Sequence, residues 1–558
     1  MKKFNQGEFE TLDLKEQAKF FHQASFKERG ELLFRSHDPG ALTRSLSQEE
    51  LYLMTREMDR DERKEIIRYT TLPQMFFISD IECWKKDEIS VDGFIEWLEV
   101  LKDADEQHLF AWMLNMDYEM IVGGFIKFVQ VIKPDWEYAS DEILGDRPYF
   151  TLDFQYYVST DEENLQTVKR AIEVLFENHK GKYAALMEGL LSELQYELEE
   201  EAYQKRQSRL ADRGFPDPET AMRIFKPISA DELQQFKKTG VMQVPDCAEE
   251  QPPSYVTVRE EGQIFLDHVL LLCAQESNKD KEGVQEELAW LTNKVIAADG
   301  IDFASEEKVY EGIQRARSLV NLGLEVLSTK NLEKAKSLIL SYWIEAIFRT
   351  GINNAMQVRE EASAIVKSYW HGKPLSFFDF LGAPYQAYFE ALLQTVPMFY
   401  DEERGVAPTY MRDFETLEDI AKIKKIIFQV DAIHKVLHRI APRIFAGMDA
   451  NGSSFTLVST LGTMFAFFVT GQKKKKLSLA PKDMALFLTK GFVVEKGKRT
   501  LSMSLWQAFL TQFGVELGLD SNGPDVIASV RNQLEDELAQ LNPAKAVDRR
   551  YISCVILE

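Results

Sequence analysis

The chain contains few of the residues that interrupt helices. It has 29 glycines and 18 prolines among 558 residues, about 8% where about 12% is usual for the two together. Glycine costs backbone entropy inside a helix and proline removes a hydrogen bond there, so a chain poor in both favours helix. An apolar share of 45% excludes an intrinsically disordered chain. We therefore predict an all-α fold with only minor β-hairpin content.

Helix start signals recur at short intervals in the N-terminal part. Asp38-Pro39 offers an N-cap followed by proline at the first helical position. Ser47 and Asp59 each precede a glutamate by three residues, which is the spacing of a capping box. Starts about 10 to 12 residues apart leave room only for short helices joined by tight antiparallel turns. Residues 26–132 are therefore predicted to form stacked short helices in a superhelical, repeat-like array.

This pattern resembles known helical repeats. The segment ERGELLFRSHDPGALTRSLSQEELYLMTREMDRDERKEIIRYT alternates acidic caps, short amphipathic helices and leucine-rich turns. Over residues 26–132 the chain resembles the superhelical repeats in the cytosolic N-terminal domain of bacterial magnesium transporters. It is also similar to the middle domain of the flagellar motor switch protein. No transporter membrane domain follows, so the resemblance does not imply transport.

A second resemblance covers the chain as a whole. The segment ELEEEAYQKRQSRLADRGFPDPETA carries it most clearly. With this segment the chain resembles an uncharacterised bacterial protein family of unassigned function. This resemblance implies no activity, no cofactor and no site residues.

The sequence divides into four predicted parts. Residues 1–140 form the short-helix array, and residues 141–240 combine an aromatic segment with a long charged helix that packs with the array. Residues 241–262 contain three prolines and several acidic residues, which is typical of a linker. Residues 263–558 form a second, C-terminal helical domain.

Local patterns specify elements within these parts. Helical periodicity predicts one long helix from Tyr183 to Asp212. Strand is expected mainly in the aromatic segment near Phe150 and in a hairpin from Phe492 to Met503, which turns at Lys496-Gly497.

Charge and composition limit the partners and the location. The formal net charge is −24, and an acidic surface repels phosphate, so no nucleic-acid partner is expected. The apolar segment 455–470 is shorter than the about 20 residues that a bilayer requires, so we predict a buried helix and no membrane span. The four cysteines are widely spaced and the N-terminus shows no secretory signal. Both features favour the cytoplasm.

The local signatures of common enzymes are missing. The patterns GxxxxGK[ST], GxGxxG, HExxH, GxSxG and CxxC do not occur. The sequence therefore predicts no catalytic residues and no cofactor.

One pair of histidines is a weak metal candidate. His434 and His438 are four residues apart, so a helix would place both imidazoles on one face with Asp431 one turn earlier. Lys435 and Arg439 would oppose a bound cation. The preferred interpretation is therefore two histidines beside a core stripe, with no metal bound.

The segment 197–215 is dense in charge. One interpretation is an exposed helix stabilised by pairs such as Glu201 with Lys205. The alternative is a recognition helix or a buried ion-pair hub. Arg209 and Arg213 are the candidate partner-binding residues, because arginine is enriched among the residues that dominate binding affinity.

Three functions fit these observations. Stacked helices expose extended faces and no catalytic signature competes, which favours a cytoplasmic helical scaffold whose partner is another protein. The first alternative is an enzyme with a site of dispersed carboxylates and histidines between domains. The second is a cation-responsive regulatory protein, which the transporter-like repeats and the acidic balance suggest.

Overall fold

The structure is a computed structural model of the chain. It describes residues 9–10, 12–13, 16–17, 20–21, 26–56, 58–134, 147–238, 264–276, 278–299, 306–369, 377–405, 408–445, 455–472, 477–495, 498–517, 525–543 and 551–557.

Helices make up most of the described chain, so the predicted mostly helical fold is confirmed. The first part contains α1 (Phe26–Leu33), α2 (Pro39–Ser45), α3 (Gln48–Arg56), α4 (Arg60–Ile67), α5 (Leu72–Glu82), α6 (Val91–Ala104), α7 (Glu106–Asn115), α8 (Tyr118–Phe125), α9 (Leu165–Asn178), α10 (Lys180–Ser192), α11 (Gln195–Asp212), α12 (Pro218–Ala221) and α13 (Ala230–Gln235). There follow α14 (Phe265–Glu276), α15 (Asn278–Ala298), α16 (Glu306–Ser328), α17 (Leu332–Ser341), α18 (Ile344–Tyr369), α19 (Phe377–Leu381), α20 (Tyr385–Leu392), α21 (Leu417–Phe445), α22 (Leu457–Thr470), α23 (Pro481–Lys490), α24 (Met503–Leu517) and α25 (Asp525–Leu538).

Strands form small antiparallel groups. They are β1 (Trp84–Lys85), β2 (Glu88–Ile89), β3 (Gln130–Ile132), β4 (Tyr149–Thr151), β5 (Tyr157–Ser159), β6 (Phe399–Tyr400), β7 (Met411–Arg412), β8 (Phe492–Glu495) and β9 (Lys498–Leu501). The order β3-β5-β4 makes one three-stranded sheet, and β1–β2, β6–β7 and β8–β9 make pairs. The predicted strand near Phe150 and the predicted hairpin are confirmed, while the turn at Lys496-Gly497 lies outside the described residues.

The chain folds into two compact units. The first comprises Met1–Val320 and Lys330–Ile347, and the second comprises Asn321–Thr329 and Phe348–Glu558. The predicted linker at 241–262 lies outside the described residues, so the division into four parts stays a prediction.

The predicted helix starts in the first unit are confirmed. The backbone amide of Ala41 donates a hydrogen bond to the Asp38 carboxylate at 2.8 Å. In the same way, the amide of Glu62 donates to the Asp59 carboxylate at 2.9 Å. Glu62 reaches back to the Asp59 amide, which completes a capping box at the start of α4. These caps satisfy amides that have no partner inside their helix, and so they fix where the short helices begin.

The core of the first unit near α6 is aromatic. The ring of Phe94 packs edge-on against Phe125 at 5.2 Å between centroids and lies 6.0 Å from Trp112. The buried Trp112 indole donates to Ser79 Oγ at 3.3 Å. Gly124 has Phe94 directly above its Cα, where a Cβ would overlap the ring. The close approach of α6 and α8 therefore depends on this glycine.

The predicted long helix from Tyr183 to Asp212 is wrong, because the structure has two helices there. Glu193 and Leu194 adopt extended backbone angles between α10 and α11. Neither residue is a helix breaker, so local sequence does not cause the interruption. Both helices pack on α8, and these contacts override the local helical preference.

The apolar segment 455–470 is a core helix of the second unit, α22. Its Phe465 ring is fully buried and packs edge-on against Trp506 at 4.9 Å and Phe487 at 5.6 Å. Within the described ranges, no helix is both long and apolar enough to cross a bilayer.

The C-terminal segment Tyr551–Leu557 packs against α22. The amide of Ile556 donates to the hydroxyl of Thr463, and the amide of Leu479 donates to the Ile556 carbonyl, both at 2.8 Å. A Cβ on Gly462 would overlap the carbonyl oxygen of Cys554. Glycine at this position is what lets the segment approach the helix backbone.

We expect Gly462→Ala to lower the free energy of unfolding by about 1–3 kcal/mol, because the new methyl group overpacks the contact with Cys554. Gly283→Ala is the matched control. It lies inside α15, where a Cβ meets no described atom within 4 Å, so alanine there is neutral or stabilising. Chemical denaturation of the two variants checks this, and equal stability of both would contradict the assigned packing.

Candidate interaction surface

A partly buried ion-pair cluster anchors α11 to the first unit. Arg209 of α11 donates from Nε and Nη2 to the two carboxylate oxygens of Asp80 at 2.8 and 2.7 Å. Its Nη1 donates to Asp117, which directly precedes α8. Burial raises the pKa of Asp80, and the Arg209 guanidinium acts against this rise. We call Asp80, Asp117 and Arg209 the ion-pair hub.

Arg206, one turn earlier on α11, extends these contacts to the β1–β2 hairpin. Its Nε donates to the Asp80 carbonyl oxygen at 2.6 Å, and its guanidinium lies 5.1 Å from the centroid of the Trp84 ring. Burial lowers the pKa of Arg206. The neighbouring Cys83 thiol is fully buried, and this burial raises its pKa well above the usual value. A reactive thiolate at Cys83 is therefore disfavoured.

Further ion pairs hold the first half and the middle of α11. Near its start, Glu199 accepts from Lys127 Nζ at 2.5 Å and from the amide of Ile89 at 2.6 Å. Farther along, Lys205 pairs with Glu119 of α8. The predicted local pair of Lys205 with Glu201 is thus replaced by a pair with a residue distant in sequence. The charged inner face of α11 therefore connects this helix to α5, α8 and β2.

The two predicted partner-binding arginines lie in this region. Arg209 is in the ion-pair hub, with 29% of its side chain exposed. Arg213 ends α11, and its carbonyl oxygen accepts from the Asn293 side chain at 2.9 Å. Gly214 follows with φ +86°, a conformation that glycine adopts without strain. A direct role of Arg209 and Arg213 in partner binding stays a prediction.

We expect Arg209→Ala to lower the free energy of unfolding by about 3 kcal/mol, because it leaves the buried Asp80 carboxylate without its partner. Arg170→Ala is the matched control, since Arg170 pairs with Glu106, whose side chain is 52% exposed, and with Glu173. Solvent screens the ion pair with the exposed Glu106, so Arg170→Ala lowers the free energy of unfolding much less. Thermal denaturation of both variants distinguishes the two cases, and equal losses would contradict a structural role of the hub.

The junction of α10 and α11 exposes several apolar side chains. Leu191, Leu194 and Tyr196 are 38%, 62% and 80% exposed. Leu194 occupies the N-cap position of α11 and makes no side-chain capping hydrogen bond, whereas that position favours Ser, Thr, Asp or Asn. With the exposed Glu193 and Glu197, these three residues make up the α10–α11 corner.

Buried contacts on both sides hold the α10–α11 corner in place. Leu190 and Leu198 are 9% and 4% exposed, and each lies within two residues of the corner. The Tyr118 hydroxyl of α8 lies where a Cβ on Gly189 would be. Gly123 of α8 faces Leu198, which is 3.6 Å from a Cβ built there. The corner therefore presents its apolar side chains from a supported backbone.

Sequence reasoning missed this corner. The leucines at 191 and 194 match helical spacing, which places them on one side of the single long helix predicted from Tyr183 to Asp212. Leu194 is not a residue that favours the N-cap position, so no local sequence signal indicates that a helix starts there.

The structure describes His434 but not the His438 side chain. The His434 ring is buried on α21, and Asp431 of the preceding turn pairs with Lys435 at 2.7 Å. Among the described residues, no group of three or more His, Cys, Asp and Glu side chains is arranged to hold a metal ion.

The second unit contains a charged cluster at the start of α21. Arg412 donates to both carboxylate oxygens of Asp419 at 2.8 and 2.9 Å and to Asp401 at 2.8 Å. Glu415 accepts from Arg404 at 2.6 Å. These carboxylates are bound to arginines and are therefore poor candidates for general bases.

The pKa of Asp419 gives this cluster a pH dependence. Burial acts to raise it, but hydrogen bonds from Arg412 and from the amides of Glu415 and Thr416 hold the pKa below its usual value. A carboxylate with a lowered folded-state pKa stabilises the fold above its unfolded pKa of about 3.9, and this contribution is lost as the pH falls through the folded value.

We expect Asp419→Asn to lower the free energy of unfolding by about 2 kcal/mol at neutral pH, because the charge-assisted hydrogen bonds are lost. The difference from the unchanged protein shrinks as the pH falls below about 4, because Asp419 takes up a proton first in the unfolded chain and only at a lower pH in the folded chain. Denaturation across this pH range checks the prediction. A difference that stays constant with pH would contradict it.

Comparison with family models matches residues 6–558, nearly the whole chain, to a family of unknown function (DUF6178). No curated protein and no solved structure matches the chain. The family match confirms the resemblance of the whole chain to an uncharacterised family. The resemblance of residues 26–132 to transporter repeats is not shown by these comparisons.

Proposed function

The chain belongs to DUF6178, a family of unknown function, and from this premise we propose that it is a helical scaffold that binds another protein. One observation carries the proposal. The α10–α11 corner exposes Leu191, Leu194 and Tyr196 in a stretch of six residues, and buried residues on both sides hold its backbone in place. Scattered apolar side chains are common on protein surfaces, but adjacent ones rimmed by polar residues are typical of interaction sites.

The composition of the corner supports binding through surface area. A tyrosine and two leucines are exposed there, and exposed glutamates lie between and beside them in the sequence, a mixture of apolar and polar residues like that of many protein interfaces. The neighbouring buried residues Leu190 and Leu198 fix the backbone, so little conformational entropy is lost when a partner binds. In this proposal Arg209 is a positioning residue, because it holds α11 and through it the corner.

The proposal places the protein in the cytoplasm. Of the described cysteines, Cys83 and Cys554 are buried and form no disulfide. Unpaired cysteines are ordinary in a reducing compartment and uncommon in secreted domains.

The experiment is capture of partners from native lysate with the tagged full chain, followed by quantitative mass spectrometry. We expect Leu194→Ser combined with Tyr196→Ser to reduce specifically captured proteins by about tenfold or more, because central apolar residues dominate the affinity of interfaces. The control combines Val494→Ser with Tyr551→Ser, two residues in the second unit that are 74% and 79% exposed.

The control pair removes the same kinds of side chain and is expected to leave capture unchanged. Circular dichroism and thermal unfolding of all variants verify that they are folded. Undiminished capture by the folded Leu194 and Tyr196 variant would overturn the proposal.

A further inference from the structure

Every charged residue in the sequence segment that contains the α10–α11 corner is a glutamate. From Tyr183 to Gln204 the sequence has six glutamates and no lysine or arginine. Two of them form ion pairs with lysines: Glu188 with Lys133 at the surface, and Glu199 with Lys127 in a largely buried position. The other four are exposed: Glu193, Glu197, Glu200 and Glu201. The apolar centre of the corner is thus bordered by carboxylates.

We infer that the partner of the α10–α11 corner is a protein segment that combines apolar side chains with lysine or arginine. This inference rests on the proposed scaffold function and adds the chemistry of its partner. Leu194 and Tyr196 supply apolar contact, while Glu193 and Glu197 attract basic side chains at the rim. Complementary charge of this kind raises the association rate and selects the partner.

The same charges disfavour the other occupants of an exposed apolar surface. A second copy in a two-fold dimer would place one corner against the other, and the glutamates would repel each other. Nucleic acids and anionic lipid headgroups carry negative charge and are repelled in the same way. A basic, apolar protein segment is the occupant that both the charges and the apolar side chains favour.

The test uses two synthetic helical peptides of about 18 residues. The basic peptide has leucines at positions i, i+3, i+4 and i+7 and lysines elsewhere, and the acidic peptide has glutamate in place of every lysine. Binding to the full chain is measured by fluorescence anisotropy at low and at physiological salt. We expect the basic peptide to bind, to bind more weakly at higher salt, and the acidic peptide not to bind.

Charge variants locate the binding. Glu193→Gln combined with Glu197→Gln is expected to weaken binding of the basic peptide by about tenfold. The matched control is Glu162→Gln combined with Glu163→Gln, which changes the net charge equally at exposed residues of the same unit. We expect the control to change the affinity by about twofold at most, because screened charges away from the site act weakly.

Several results would overturn the inference. These are no binding of the basic peptide, equal binding of the acidic peptide, and equal weakening by both charge variants. Co-sedimentation with phosphatidylserine vesicles that depends on Leu194 and Tyr196 would also overturn it in favour of a membrane. If the Glu193 and Glu197 variant keeps the captured proteins while the Leu194 and Tyr196 variant loses them, the scaffold function stands and the basic partner does not.

Discussion

The fold of the first unit depends on the bidentate ion pair between Arg209 and Asp80. Asp80 is 2% exposed, and removing a carboxylate from water is costly unless its hydrogen bonds are replaced. Arg209 replaces them with two parallel bonds and uses its third nitrogen for Asp117. Because this geometry has few alternatives, it fixes the position and rotation of α11 on α5 and α8.

The rotation of α11 decides which of its residues reach solvent. Glu199, Lys205, Arg206 and Arg209 are all engaged with other elements, so most of the basic charge of the helix is used inside the fold. The remaining exposed charges near its start are glutamates. The sequence supplies the glutamates of the α10–α11 corner, and the rotation that the hub fixes leaves those near the start of α11 exposed.

Much of the fold could be predicted from local sequence. The caps at Asp38 and Asp59, the hairpin at Phe492 and the buried helix before Thr470 each depend on residues close together in the chain. The break at Glu193 and Leu194 could not be predicted in this way. Its cause is the packing of α10 and α11 on α8, about 70 residues earlier, and the residues at the break have ordinary helical propensity. The two-residue strands β1, β2, β6 and β7 are too short to show an alternating pattern.

The candidate site shows the same limit. The density of charged residues indicated that α11 carries many ion pairs. Spacing alone predicted a pair of Lys205 with Glu201, but in the structure Lys205 pairs with Glu119 of α8. A local pair on an exposed helix contributes a few tenths of a kcal/mol, and a partly buried pair between two packed helices is screened less. Basic residues on α11 therefore pair preferentially with carboxylates of other helices. A surface for a partner has to be sought among the side chains that folding leaves exposed, which here are leucine, tyrosine and glutamate rather than arginine.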